Sequence, residues 1–226
     1  MARQNADPLS LVHRERGERV PKQARALADV FLNIPYDKKF QRLFLAYISG
    51  ISAFALVPRA TLEIPSSSRR LNRIFSLIQA CRYAFHDLSR VELDARAPRT
   101  PRFNMPFELG LSVAWEMVSK KGRHAWFVCE SRNWRLAKSL SDLNGTDAYI
   151  HDGTITGVFR ELGNAFVRSG RQPSVQQMWR IYRDVRKSLP EILRAAGTDS
   201  LYKAKVFKEI CVVAGASADN NVPKLA

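Results

Sequence analysis

A carboxylate at a helix start, framed by apolar residues, is the part of this chain best suited to chemistry. It is Glu108 in the run Arg102-Phe103-Asn104-Met105-Pro106-Phe107-Glu108-Leu109-Gly110-Leu111. Asn104 suits an N-cap, because its side-chain oxygen can accept a free backbone N–H of the first turn. Pro106 suits that turn, where its missing donor costs nothing. Phe107, Leu109, Leu111, Val113, Ala114, Trp115 and Met117 leave almost no polar face, so the spacing predicts a helix buried against a sheet. Glu108 falls on the side of Leu111, Ser112 and Trp115. Burial there raises a carboxyl pKa while the helix dipole lowers it. A carboxylate poised in this way can act as nucleophile or base. The plain alternative is an early acidic residue that only complements the dipole.

The elements that must position Glu108 follow from periodicity. Val30–Ile34 reads as a buried strand ended by Pro35. Asp37 caps a helix with Phe40, Leu43, Phe44, Tyr47, Ile48 and Ile51 on its apolar face. Phe54–Val57 is a second strand closed by Pro58, and a turn at 65–68 leads to a helix with Leu71, Ile74, Phe75 and Ile78 on one side. Arg82–Asp87 is a third strand, Ala125–Cys129 a fourth and Asp147–Ile150 a short fifth. A helix from about Thr156 to Val167 completes the alternation. Such alternation predicts an α/β fold: a flavodoxin-like parallel sheet of about five strands, helices on both faces, and a C-terminal helical extension. Three parts are expected: an arm over 1–29, the α/β domain over 30–168 and the extension over 169–226. In the extension, Val175, Met178, Trp179, Tyr182, Val185 and Leu189 form one helical stripe, and Leu201, Val206, Ile210 and Val213 another. The arm holds at most a short helix at Lys22–Leu27, and residues 215–226 are expected to fray.

Ligands of parallel sheets bind outside the carboxyl ends of the strands, where the strand order reverses. That rule selects Asn33, Pro35 and Asp37 after the first strand, Arg59 after the second, and His86, Asp87, Ser89 and Arg90 after the third. Glu108 enters from the following helix. His86 beside Asp87 is either an acid–base pair or a strand-end histidine packed under a loop. Trp179 and Tyr182 read as core, and Asp152-Gly153 as a plain turn.

Composition narrows the partners. The chain has 226 residues, 46% of them hydrophobic and 25% charged, enough for one substantial core. No apolar run is long enough to span a bilayer, and the polar N-terminus lacks the pattern of a secretory signal. Three widely spaced cysteines, Cys81, Cys129 and Cys211, read as buried thiols of a reducing, cytoplasmic setting. No Cys–His cluster has zinc spacing, and no metal or cofactor is expected. The net charge of +15 is spread along the chain. Arg180, Arg183, Arg186 and Lys187 fall at helical spacing, which fits a solvated face as well as a nucleic-acid contact.

Strand one with Asn33-x-Pro35-x-Asp37, strand three ending in Asp87, and a helix carrying Glu108-Leu109-Gly110 together resemble the nucleoside 2-deoxyribosyltransferase fold, in a bacterial branch. The same order is similar to TIR domains that hydrolyse NAD. The resemblance covers about residues 30–168 and lies in motif order. It implies that Glu108 attacks the anomeric carbon of a nucleoside to give a ribosyl-enzyme, or supports cleavage of a nicotinamide–ribose bond. It implies that Asp87, a second site carboxylate, and Asp37 hold sugar hydroxyls or the base, that Asn33 helps position the ribose, and that Arg59, Arg90 or Arg102 meets phosphate. The Asp-x-Gly-Thr-like turn of the transferases and the Trp-Cys-x-x-Glu of the TIR enzymes are absent; Arg102–Pro106 stands in their place. The expected partner is thus a nucleotide or nucleoside, with self-association open, nucleic acid disfavoured and no membrane. The competing expectation is a non-catalytic nucleotide sensor that signals through a protein or nucleic-acid partner, as in bacterial immune signalling.

Overall fold

The computed structural model describes residues 28–64, 69–90, 97–143, 145–167 and 172–223. Five parallel strands form one sheet in the order β2-β1-β3-β4-β5, from β1 (Asp29–Asn33), β2 (Val57–Ala60), β3 (Tyr83–Asp87), β4 (Ala125–Glu130) and β5 (Tyr149–Ile150). Helices α1 (Gln41–Ala53), α2 (Arg70–Ala80), α3 (Asn104–Val118), α4 (Arg135–Ser139), α5 (Ile155–Ala165), α6 (Val175–Ala196) and α7 (Ala204–Asn221) cover it. This is the flavodoxin-like α/β fold that the alternation predicts. The order reverses between β1 and β3, whose pairing sets Asn33 against His86.

The second strand lies three residues later than its apolar run suggests. Helix α1 continues to Ala53, Ala55 turns the chain at a φ of 56°, and pairing begins at Val57 opposite Asp29. Pro58, expected to close the strand, sits inside it. It is tolerated because β2 is the edge, where a missing N–H breaks no ladder. The short α4 has no counterpart in the sequence reading. The arm's expected helix at Lys22–Leu27 and the turn at 65–68 lie outside the described residues.

One face of the sheet is two helical layers deep. Helix α1 is buried from Leu43 to Ala53, because α6 and α7 cross its outer side and give it no solvent face. Helix α6 opens with a capping box between Ser174 and Gln177 and ends at Gly197 in the left-handed conformation. Helix α7 runs to Asn221 with Ala214, Ala218 and Val222 buried. The fraying expected over 215–226 is therefore wrong for 215–221, where Ala218 continues the stripe begun at Val206, and residues 224–226 lie outside the described residues.

The opposite face is one layer deep. Helices α2, α3 and α4 lie there over two small clusters, centred on Phe31, Ile78 and Ala84 and on Leu88, Leu109 and Val128. Only Met105, Leu109 and Ser112 of α3 are buried, whereas Phe103 is 67% exposed, Phe107 54% and Met117 78%. The burial expected for the whole apolar surface of α3 is thus confined to one stripe, because among the described residues no further layer covers the other side.

Candidate functional site

Alternation along β3 sorts the expected site residues. Successive strand side chains point to opposite faces, so Phe85 and Asp87 face α1 while Ala84 and His86 face α2 and α3. Glu108, on α3, therefore shares a face with His86 and is separated from Asp87 by the sheet.

On the α3 face, a cavity of about 700 Å³ opens beyond the carboxyl ends of β1 and β2. Its volume is in the range of small-molecule sites. Glu108 lines it with Asn33, Pro35, Tyr36 and Thr61, with Arg70, Leu71 and Ile74 of α2, and with Arg102, Phe103, Asn104 and Phe107 at the start of α3. Asn104 is the first helical residue, one place inside its expected cap position, and no side chain caps α3. Glu108 makes no hydrogen bond or ion pair among the described residues. Burial pushes its carboxyl up to about 7, against a smaller downward pull from Arg70. Arg70 reaches the Ile64 carbonyl at 3.1 Å. Burial also raises the Tyr36 phenol well above its usual range, so it stays protonated, with its hydroxyl 3.2 Å from that of Thr61.

Asn33 borders the cavity with its amide nitrogen committed to the wall. Its Nδ2 donates to the Met105 carbonyl at 2.8 Å and to His86 Nδ1 at 2.9 Å, which ties β1 to the first turn of α3. Because His86 Nδ1 accepts, its Nε2 carries the proton and donates to Ser112 at 2.9 Å. Burial lowers the His86 pKa to about 3, with His124 adding to the effect. His86 is a neutral, fully enclosed strut and does not pair with Asp87.

On the α1 face, Asp87 is fully buried and takes hydrogen bonds from the Tyr47 hydroxyl at 2.8 Å and the Ser89 backbone at 2.9 Å, with His151 Nε2 at 3.0 Å. Burial alone would raise this carboxyl, but His151 and Ser89 more than offset it and hold it below its usual value. His151 Nδ1 accepts from the Gly153 N–H at 3.0 Å, so Nε2 bears the proton shared between Asp87 and Ser89. That tautomer cannot take a proton from Ser89, and the Asp–His–Ser group is a structural lock. Nearby, Arg135 grips Glu130 through two nitrogens and the Ser89 carbonyl at 2.8 Å. Asp87, His86 and Ser89 do not line the Glu108 cavity: alternation and burial keep them out.

The remaining expected residues divide. Pro35, Arg102 and Asn104 line the cavity. Asp37 caps the turn before α1 through Phe40 N at 3.0 Å and sits 3.3 Å from Arg90 and 3.4 Å from Arg102, beside the cavity and outside its lining. Arg59 pairs with Asp29 at 2.6 Å and Glu63 at 3.0 Å and does not line the cavity. Sequence reasoning missed Tyr36, Thr61 and Arg70. The signal for Tyr36 was present, since it sits between the two selected positions Pro35 and Asp37.

Among the described residues no group of three His, Cys, Asp or Glu side chains could hold a metal ion, and no helix is long and apolar enough to cross a membrane. No family model, curated protein or solved structure matches this chain.

Proposed function

We propose that this protein cleaves or transfers at the N-glycosidic bond of a nucleoside, nucleotide or NAD, with Glu108 as the acting carboxylate. The observation that carries the reading is a half-buried glutamate, without a partner among the described residues and with its pKa pushed up to about 7, inside a cavity at the reversal of strand order. A carboxylate so placed suits attack on, or stabilisation of, an oxocarbenium-like sugar carbon. In the covalent form, Glu108 Oε bonds to the anomeric carbon and the base departs with the electron pair of the broken C–N bond. Water or an acceptor then displaces the glutamate. Arg70 and Arg102 supply charge for phosphate oxygens, and Phe103, Phe107, Leu71 and Ile74 offer apolar surface to a base. Asn33 contributes by holding the first turn of α3, and Asp87 takes no part. The resemblance in motif order to deoxyribosyltransferases and NAD-hydrolysing TIR domains supports the same chemistry.

One observation favours the second reading, a nucleotide sensor without turnover. Glu108 is the only carboxylate among the described residues lining the cavity, so no second acid is at hand to protonate a leaving base. Purified protein given nucleosides, nucleotides or NAD separates the readings. Release of free base or nicotinamide supports the enzyme; tight binding with no release supports the sensor.

A further inference from the structure

We infer that the outer stripe of α3 is the contact between two copies of this chain, packed antiparallel about Gly110. The stripe is Phe103, Phe107, Gly110, Ala114 and Met117, at the four-and-three spacing of a helix–helix seam. It lies opposite the buried Met105, Leu109 and Ser112. All five residues are exposed, and none is charged.

Gly110 supplies an independent reason. It sits in the middle of α3 without a positive φ, so the backbone does not require glycine, which weakens a helix interior relative to alanine. Nor does packing within the chain, because a Cβ built there meets nothing within 4 Å. Gly163 and Gly215 share that property, but Gly110 alone of the three is exposed and lies within an apolar stripe, where a missing side chain lets another helix approach closely.

The pattern of sizes selects a second copy as that partner. A two-fold contact must be self-complementary, and an antiparallel pair crossing at Gly110 sets Phe107 against Ala114 and Phe103 against Met117. Large meets small beside the crossing, and the positive start of each helix lies beside the negative end of the other. The exposed apolar surface of the stripe with Leu71 and Val118 is on the order of 600 Å² per copy, close to the roughly 800 Å² per partner of a standard interface. Nucleic acid would require cations on this stripe, and it has none. Residues 1–27 carry nine charged side chains and no Phe, Tyr or Trp, so they offer no aromatic ring to set against Phe103 or Phe107. Because Phe103 and Phe107 also line the Glu108 cavity, the second copy covers its open side. The inference stands independently of the chemistry assigned to Glu108.

Sedimentation of the full-length protein across a concentration series tests it, with Gly110→Leu and Phe107→Glu beside wild type. Leucine is a better helix former than glycine, so Gly110→Leu leaves the fold intact, as circular dichroism and melting will show. The expected result is a wild-type dimer at micromolar concentration, with at least a ~10-fold weaker dimer in both variants. A wild-type monomer throughout the series would overturn the inference. So would a wild-type dimer that Gly110→Leu leaves unchanged, since the contact would then lie elsewhere.

Discussion

The two faces of the sheet solve different problems with similar helices. On the α1 side, two helical layers enclose a continuous core from Val30 to Val222, and the polar groups within it are locked to one another. On the α3 side, one layer leaves aromatic side chains in solvent and a glutamate with no partner among the described residues. A buried polar group that is fully bonded fixes a fold, whereas one left poised at a cavity is available for chemistry. The two carboxylates at the centre of the molecule show the difference: Asp87 is pulled below its usual pKa by bonded partners, and Glu108 is pushed above its own by burial without them.

The sharpest way to break this comparison is to neutralise each carboxylate. Asp87→Asn should cost about 3–5 kcal/mol, the scale of removing one partner from a buried charged pair, measured by urea unfolding. Glu108→Gln should leave stability at neutral pH unchanged or slightly higher, since it removes a charge that the cavity disfavours. Equal losses in the two variants would mean that both carboxylates are structural. Gly157→Ala should come next, at about 1–3 kcal/mol, because a Cβ there would sit 1.9 Å from the His151 carbonyl in the packed turn before α5. An unaltered melting temperature would show that this face is less tightly built than described.

The fold was legible because strand and helix periods alternate cleanly from Val30 to Phe166. The position of β2 was less so, since Phe54 and Leu56 are apolar in either a helix end or a strand. The site was legible only in part. Sequence order places His86, Asp87 and Glu108 near one sheet edge, but the pleat sends neighbouring residues to opposite faces, and only known register says which. Nor does sequence show that Arg59 is already held by Asp29 and Glu63. Likewise, the apolar run of α3 signals contact without distinguishing contact with the sheet from contact with another molecule.

Glu108 also gives the thin face its own pH dependence. The folded carboxyl keeps its proton to about 7, whereas the unfolded one releases it near 4.5. Between those values the native state binds more protons, so stability falls as pH rises through this window. The loss should be on the order of 1–2 kcal/mol after allowance for partial exposure, and it should vanish in Glu108→Gln. A stability profile identical in wild type and variant would contradict the burial assigned to Glu108. The smallest expected effect is that of Arg70→Ala. Removing the cation that favours the carboxylate should move the Glu108 titration midpoint upward, as followed by side-chain carboxyl NMR, and a downward move would place Arg70 elsewhere.

The most direct measurement is base or nicotinamide release by wild type and Glu108→Gln, across pH, with substrate binding followed in parallel. The account predicts that wild-type turnover rises with pH through about 7 as the carboxylate forms. It predicts that Glu108→Gln lowers turnover by at least ~10²-fold, the scale of losing one preorganised electrostatic group, while binding persists. Near-wild-type turnover in Glu108→Gln would contradict the account outright.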